Sequence, residues 1–95
     1  TFLPHVTYTT GNSPRWLAVV DVNKDSKPDI VVANQDSNNV GVLLNTGSGT
    51  FLPQDTYPTG NSSRCVAVVD VNNDNQPDIV APNYDSNTVS VLLHW

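Results

Sequence analysis

Short apolar runs alternate along this chain with clusters of Gly, Pro, Asn, Asp and Ser. Trp16-Leu-Ala-Val-Val20 is apolar without a break, as a strand covered on both faces should be. Ile30-Val-Val-Ala33 and Val40-Gly-Val-Leu-Leu44 follow, separated by the turn-forming stretch Asn34-Gln-Asp-Ser-Asn-Asn39. Phe2 to Tyr8 carries aromatics and Thr, but Pro4 costs a ladder donor, so the pattern predicts an edge strand there. Gly11-Asn-Ser-Pro14 predicts a turn. No stretch spaces its apolar residues at the helical period. Every expected element is a strand or a turn.

The pattern then repeats. A shift of 49 residues lays Thr1-Phe-Leu-Pro4 on Thr50-Phe-Leu-Pro53, Tyr8 on Tyr57, Arg15 on Arg64, and Val42-Leu-Leu44 on Val91-Leu-Leu93. About two thirds of the aligned pairs are identical, without a gap. The chain is two copies of one unit, 1–49 and 50–95, and the second copy predicts strands at Phe51–Tyr57, Cys65–Val69, Ile79–Ala81 and Val89–Leu93. Four antiparallel strands in a unit of this length fit one blade of a β-propeller. The fold class is therefore all-β, two four-stranded antiparallel blade units. With the strand near Trp16 innermost, the first blade closes with Phe51–Tyr57. The second blade lacks an outer strand, and Phe2–Tyr8 lacks a blade. Known rings need about four to eight blades, so further copies of the chain are expected as partners. Three chains give six blades, and four give eight.

Charge narrows the chemistry. The net charge is −5, all nine acids are Asp, and six of them lie in two stretches. These are Asp21-Val-Asn-Lys-Asp-Ser-Lys-Pro-Asp29 and Asp70-Val-Asn-Asn-Asp-Asn-Gln-Pro-Asp78. Oxygen-bearing side chains fall at loop positions 1, 3, 5 and 9, and a carbonyl at position 7 can join them. Hard cations such as calcium take six to eight oxygens at about 2.3–2.6 Å. An EF-hand is excluded, because Val32 or Ala81 stands where its bidentate Glu belongs. The competing reading is a pair of metal-free Asx-turns. Four basic residues argue against a nucleic-acid partner, which needs Lys/Arg neutralisation. No apolar run approaches the roughly 20 residues of a membrane span, and none resembles a signal peptide. The first residue is Thr, so the chain is expected to be processed or excised from a longer one.

The combined pattern, Asp-Val-Asn-x-Asp-x-x-Pro-Asp-Ile-Val, then Asp-Ser-Asn-x-Val-x-Val-Leu-Leu, then Asn-Thr-Gly-x-Gly-Thr-Phe, resembles the FG-GAP/VCBS repeats of integrin-α-like propellers. The resemblance covers essentially the whole chain, twice. It implies four-stranded blades with a calcium loop between the first two strands, and an extracellular or cell-surface setting. The implied ligands are Asp21, Asn23, Asp25, the Lys27 carbonyl and Asp29, then Asp70, Asn72, Asp74, the Gln76 carbonyl and Asp78. The family loop has Gly at position 6, where the backbone turns left-handed. Ser26 and Asn75 stand there in this chain, and Asn tolerates that conformation better.

A second polar group lies at the opposite rim: Arg15, Asp36 and Asn38, repeated as Arg64, Asp85 and Asn87. It reads either as a surface for a protein or glycan ligand, or as turn chemistry plus an Arg–Asp pair between blades. Trp16, Cys65, Tyr8 and Tyr57 read as blade packing. His5 and His94 are unmatched by the repeat and receive no catalytic role. No nucleophile elbow, phosphate loop or zinc spacing occurs, and a site written twice reads as structural, so no enzyme is expected. The expected function is a non-enzymatic, calcium-stabilised propeller module for adhesion or ligand binding. A glycan-binding, lectin-type propeller and a purely structural repeat without ligand are its rivals.

Overall fold

The computed structural model describes residues 4, 6–47 and 50–94. Among them the chain forms seven strands: β1 (Pro14–Val20), β2 (Asp29–Asn34), β3 (Asn39–Leu43), β4 (Asp55–Pro58), β5 (Ala67–Val69), β6 (Asp78–Asn83) and β7 (Thr88–Leu92). They make two antiparallel meanders, a four-stranded sheet β1-β2-β3-β4 and a three-stranded sheet β5-β6-β7. The first unit thus borrows its outer strand from the second, as the repeat predicts. The second sheet has no fourth strand among the described residues.

The two sheets bury each other. Val31, Ala33, Val40 and Val42 alternate onto one face of the first sheet, with Ala18 and Val20 beside them. They pack on Val66, Val68, Ile79, Ala81 and Leu92 from one face of the second. β2 is closed off on its other face as well. There Gln54 fills the space above Gly41, and Gly11 lies against the Asn34 side chain.

Several expected boundaries move for physical reasons. Phe2–Tyr8 is not a strand where it is described: Pro4 and Val6–Tyr8 pair with nothing, and Val6 is largely exposed, while Thr1–Leu3 and His5 lie outside the described residues. Its counterpart is shorter than Phe51–Tyr57, because Phe51 makes a lone bridge to Asn45 and Pro53 has no N–H to donate. Trp16–Val20 is a strand but not a covered one. Leu17 and Val19 are more than half exposed, since no strand among the described residues packs on their face of β1, and Trp16, on the other face, is as exposed because β1 is the edge of the sheet. β5 starts two residues later than Cys65, because Pro82 stands where Ala33 pairs with Trp16. The turns after β2 and β6 are single 3-10 turns, Gln35–Ser37 and Tyr84–Ser86, each ended by a left-handed Asn, Asn38 or Asn87. Such a turn is too short for any apolar periodicity to announce it.

Gly60 repeats the contact of Gly11. A Cβ on Gly60 would lie 2.6 Å from Cγ of Asn83, whose side chain is pinned to Thr88 and Ser90. Gly60→Ala is therefore expected to destabilise the fold by about 1–3 kcal/mol, read as a lowered urea midpoint with an unchanged slope. An unchanged midpoint would show that Asn83 yields without cost.

Candidate metal loops

Each Asp-rich stretch joins the first two strands of its sheet, from β1 to β2 and from β5 to β6. Asp21 opens the first loop, and its carboxylate accepts the backbone N–H groups of Asn23 and Asp25, each at 3.3 Å, and of Ser26 at 2.8 Å. Lys27 donates its N–H to Asp25 Oδ1 at 3.0 Å. The loop can close this tightly because Lys24 and Ser26 take left-handed backbone angles, φ 61° and 65°. Position 6 was legible from the family pattern. Position 4 was not, since Lys24 and Asn73 share no turn-forming side chain.

Asp29 closes the loop from the start of β2 and is fully buried. Its Oδ2 accepts from Val22 N–H at 3.0 Å and its Oδ1 from Asn45 N–H at 2.8 Å. One carboxylate thus satisfies two backbone donors and ties the loop to the far end of β3. The second copy repeats the arrangement: Asp70 accepts from Asn72, Asp74 and Asn75, Gln76 donates to Asp74, and Asp78 accepts from Val71 at 3.0 Å and His94 at 2.8 Å.

In each copy three carboxylates converge. Asp21, Asp25 and Asp29 each offer an oxygen within 4.8 Å of the others, as do Asp70, Asp74 and Asp78. The Asn23 amide oxygen faces the carboxylates of Asp25 and Asp21, and Asn72 faces Asp74, Asp70 and Asp78. Turned the other way, the amide NH2 would donate to Asp25 and Asp21 at 2.9 and 3.1 Å. Oxygen inward completes an all-oxygen shell that a cation would hold together, and nitrogen inward satisfies the carboxylates without one. The donor set therefore fits calcium. Lys27 and Gln76 bond through their backbone N–H groups to Asp25 and Asp74, and the Lys27 side chain runs against Gly47, whose φ of 95° is a conformation that favours glycine.

The opposite rim is held by its own turns. Asp36 accepts from the Ser13 hydroxyl and Asp85 from Ser62, while Asn38 Oδ1 accepts from Ser62 N–H at 2.9 Å, which links the first rim turn to the second unit. Arg15 donates to Gln35, and the Arg64 guanidinium lies 4.1 Å above the Tyr84 ring. The arginines therefore meet the residue that opens each 3-10 turn, not Asp36 or Asp85. The left-handed Asn87 mirrors Asn38.

Burial acts to raise the Asp21 and Asp70 pKa values, but the backbone N–H groups of loop positions 3 to 6 outweigh it and hold both below their ordinary 3.8. A carboxylate with a depressed folded pKa contributes stability above its unfolded value and loses it as pH falls through the folded one. In calcium-free buffer the urea midpoint should therefore fall from about pH 4 downward. The double variant Asp21→Asn, Asp70→Asn should show a flatter acid limb. An acid limb identical to wild type would assign the pH dependence elsewhere.

Among the described residues, no helix is long and apolar enough to cross a membrane. No curated protein and no solved structure matches the chain. The family model of the FG-GAP-like repeat matches residues 21–81, a span that opens on the first Asp loop and takes in the second. The matched span holds both Asp loops and the strands β2 to β5 between them and ends within β6, and the chain belongs to the FG-GAP-like repeat family.

Proposed function

We propose that this chain is a non-enzymatic, calcium-stabilised β-propeller module that completes its ring with further copies of itself. One contrast between equivalent positions carries the reading. Val40 and Val42 are 0 % and 7 % exposed, whereas Val89 and Val91, their twins in the second sheet, are 63 % and 51 % exposed. The cover over Val40 and Val42 is the face of the second sheet that carries Val66, Val68 and Ile79. The same face of the first sheet carries Leu17, Val19 and Ile30, with Leu17 and Val19 exposed. A second copy can therefore lay that face over Val89 and Val91 by the contact the chain already makes within itself. A head-to-tail contact of this kind propagates until it closes. Three chains would make six blades and four would make eight.

Calcium acts mechanically in this reading. Bound among Asp21, Asn23, Asp25 and Asp29, it joins β1 to β2 and offsets three converging carboxylates, and the second loop does the same for β5 and β6. FG-GAP repeats are typical of extracellular and surface proteins, where modules with calcium affinities of about 10⁻⁴–10⁻³ M are loaded. Adhesion or ligand capture falls to the rim opposite the loops, which presents Arg15, Trp16, Arg64 and Tyr84 beside Asp36, Asn38, Asp85 and Asn87.

Light scattering at micromolar concentration should give a multiple of the 10.3 kDa chain mass, and Val89→Asp should return it to a single chain with its strands intact by circular dichroism. A wild-type chain that stays at single-chain mass throughout would end the ring reading. Calcium at a hundred times its dissociation constant should raise the melting temperature by about 10 °C or more for each loop filled, an effect reversed by chelation. The variant Asp25→Asn, Asp74→Asn should lose that rise. A wild-type melting temperature indifferent to calcium would leave the loops as metal-free turns.

A further inference from the structure

We propose that the cavity between the two sheets is the receptor for Phe2 of a second copy, the side chain that fastens one chain to the next. The inference rests on the assembly reading and specifies where its grip lies. The cavity measures about 300 Å³ and is lined by Leu44, Tyr57, Ile79, Leu92, Leu93 and His94.

The first unit holds the same site with its occupant in place. Subtracting 49 turns Tyr57, Ile79, Leu92, Leu93 and His94 into Tyr8, Ile30, Leu43, Leu44 and Asn45. Phe51 meets two of these residues, Tyr8 and Asn45. Its ring meets Tyr8 edge-on at 5.6 Å and 84°, its N–H donates to the Tyr8 hydroxyl at 3.3 Å, and it bridges to Asn45. The next residue, Leu52, donates its N–H to the Leu44 carbonyl at 2.8 Å. The second unit's site, by the same register, takes a segment with the Thr-Phe-Leu-Pro pattern, and Phe2 of another copy carries it. Thr1-Phe-Leu-Pro4 and Thr50-Phe-Leu-Pro53 are the same four residues, so the segment offered matches the segment the site already takes.

The receiving half is preset. His94 N–H is held by buried Asp78 at 2.8 Å, as Asn45 N–H is held by Asp29 at 2.8 Å. The two carbonyl-bearing edges therefore start from the same anchor. His94 Nδ1 is buried without a hydrogen-bond partner, so the cavity also holds a polar atom still to be met. A second copy would bring Phe2 onto the Tyr57 ring, its N–H to the Tyr57 hydroxyl, and Leu3 N–H to the Leu93 carbonyl. An edge-on aromatic pair buried in a pocket is the kind of contact that dominates an interface.

Two measurements on the full chain separate this proposal from the assembly reading beneath it. Phe2→Ala should weaken self-association by about tenfold or more, as read from mass against concentration. The same variant, its own Phe2 gone, then serves as receptor for the peptide TFLPHVTY. Binding should shift the amide resonances of Tyr57, Leu93 and His94, and the peptide with Ala for Phe should shift none of them. If wild type and Phe2→Ala assemble with equal strength, the assembly stands and the Phe2 site falls. If wild type proves to be a single chain, the peptide titration still decides: shifts at the cavity uphold the receptor, and shifts absent or elsewhere overturn it. Cavity signals in wild type that do not depend on concentration would mean the chain fills the site with its own segment, which overturns the assignment to a second copy.

Discussion

A sheet that is apolar on both faces is stable only when both are covered, and this requirement organises the whole chain. Fully burying one valine is worth about 1.5–3 kcal/mol, and the contact between the two sheets removes Val31, Val40 and Val42 from water together. Ninety-five residues are few for one core. Here they are also divided between two sheets that meet through a single pair of faces. The other two faces carry the same residue types in the same register. On the assembly proposed above, the repeat would store the interface and its continuation in one stretch of sequence.

The loops and the interface are joined by a buried acid. Asp29 closes the loop through Val22 N–H and, with its other oxygen, holds Asn45, which bridges to Phe51. Asp78 makes the same pair of bonds to Val71 and His94. A carboxylate in this position serves the loop and the strand end at once, and replacing it would leave two backbone donors unpaired, each costing about 1–3 kcal/mol. The converging carboxylates of Asp21, Asp25 and Asp29 are thus fixed by backbone bonds before any cation arrives. That arrangement keeps the reorganisation needed to bind one small.

Much of this was legible in the residues, because local chemistry decides it. Unbroken apolar runs marked β2 and β3, the Asp register marked the loops, and the 49-residue shift placed the strand that closes the first sheet. The left-handed Ser26 and Asn75 followed from a family position that needs them. What was not legible depends on partners distant in sequence. Trp16–Val20 reads as a covered strand, yet its cover would come from outside the chain. The partners of Arg15 and Arg64 are Gln35 and the Tyr84 ring, two residues that the repeat itself does not preserve. His94 drew no role because the repeat pairs it with Asn45, a residue of different chemistry. The signal lay in its backbone position, not its side chain.

The central claim is that the outer edge and open face of the second sheet are sites of assembly in solution. Hydrogen exchange of the β7 amides, compared residue by residue with those of β3 across a range of protein concentrations, tests it most directly. Protection of Thr88–Leu92 that climbs with concentration toward that of Asn39–Leu43 is the result this account predicts. Fast exchange along β7 at every concentration, with β3 protected throughout, would contradict it.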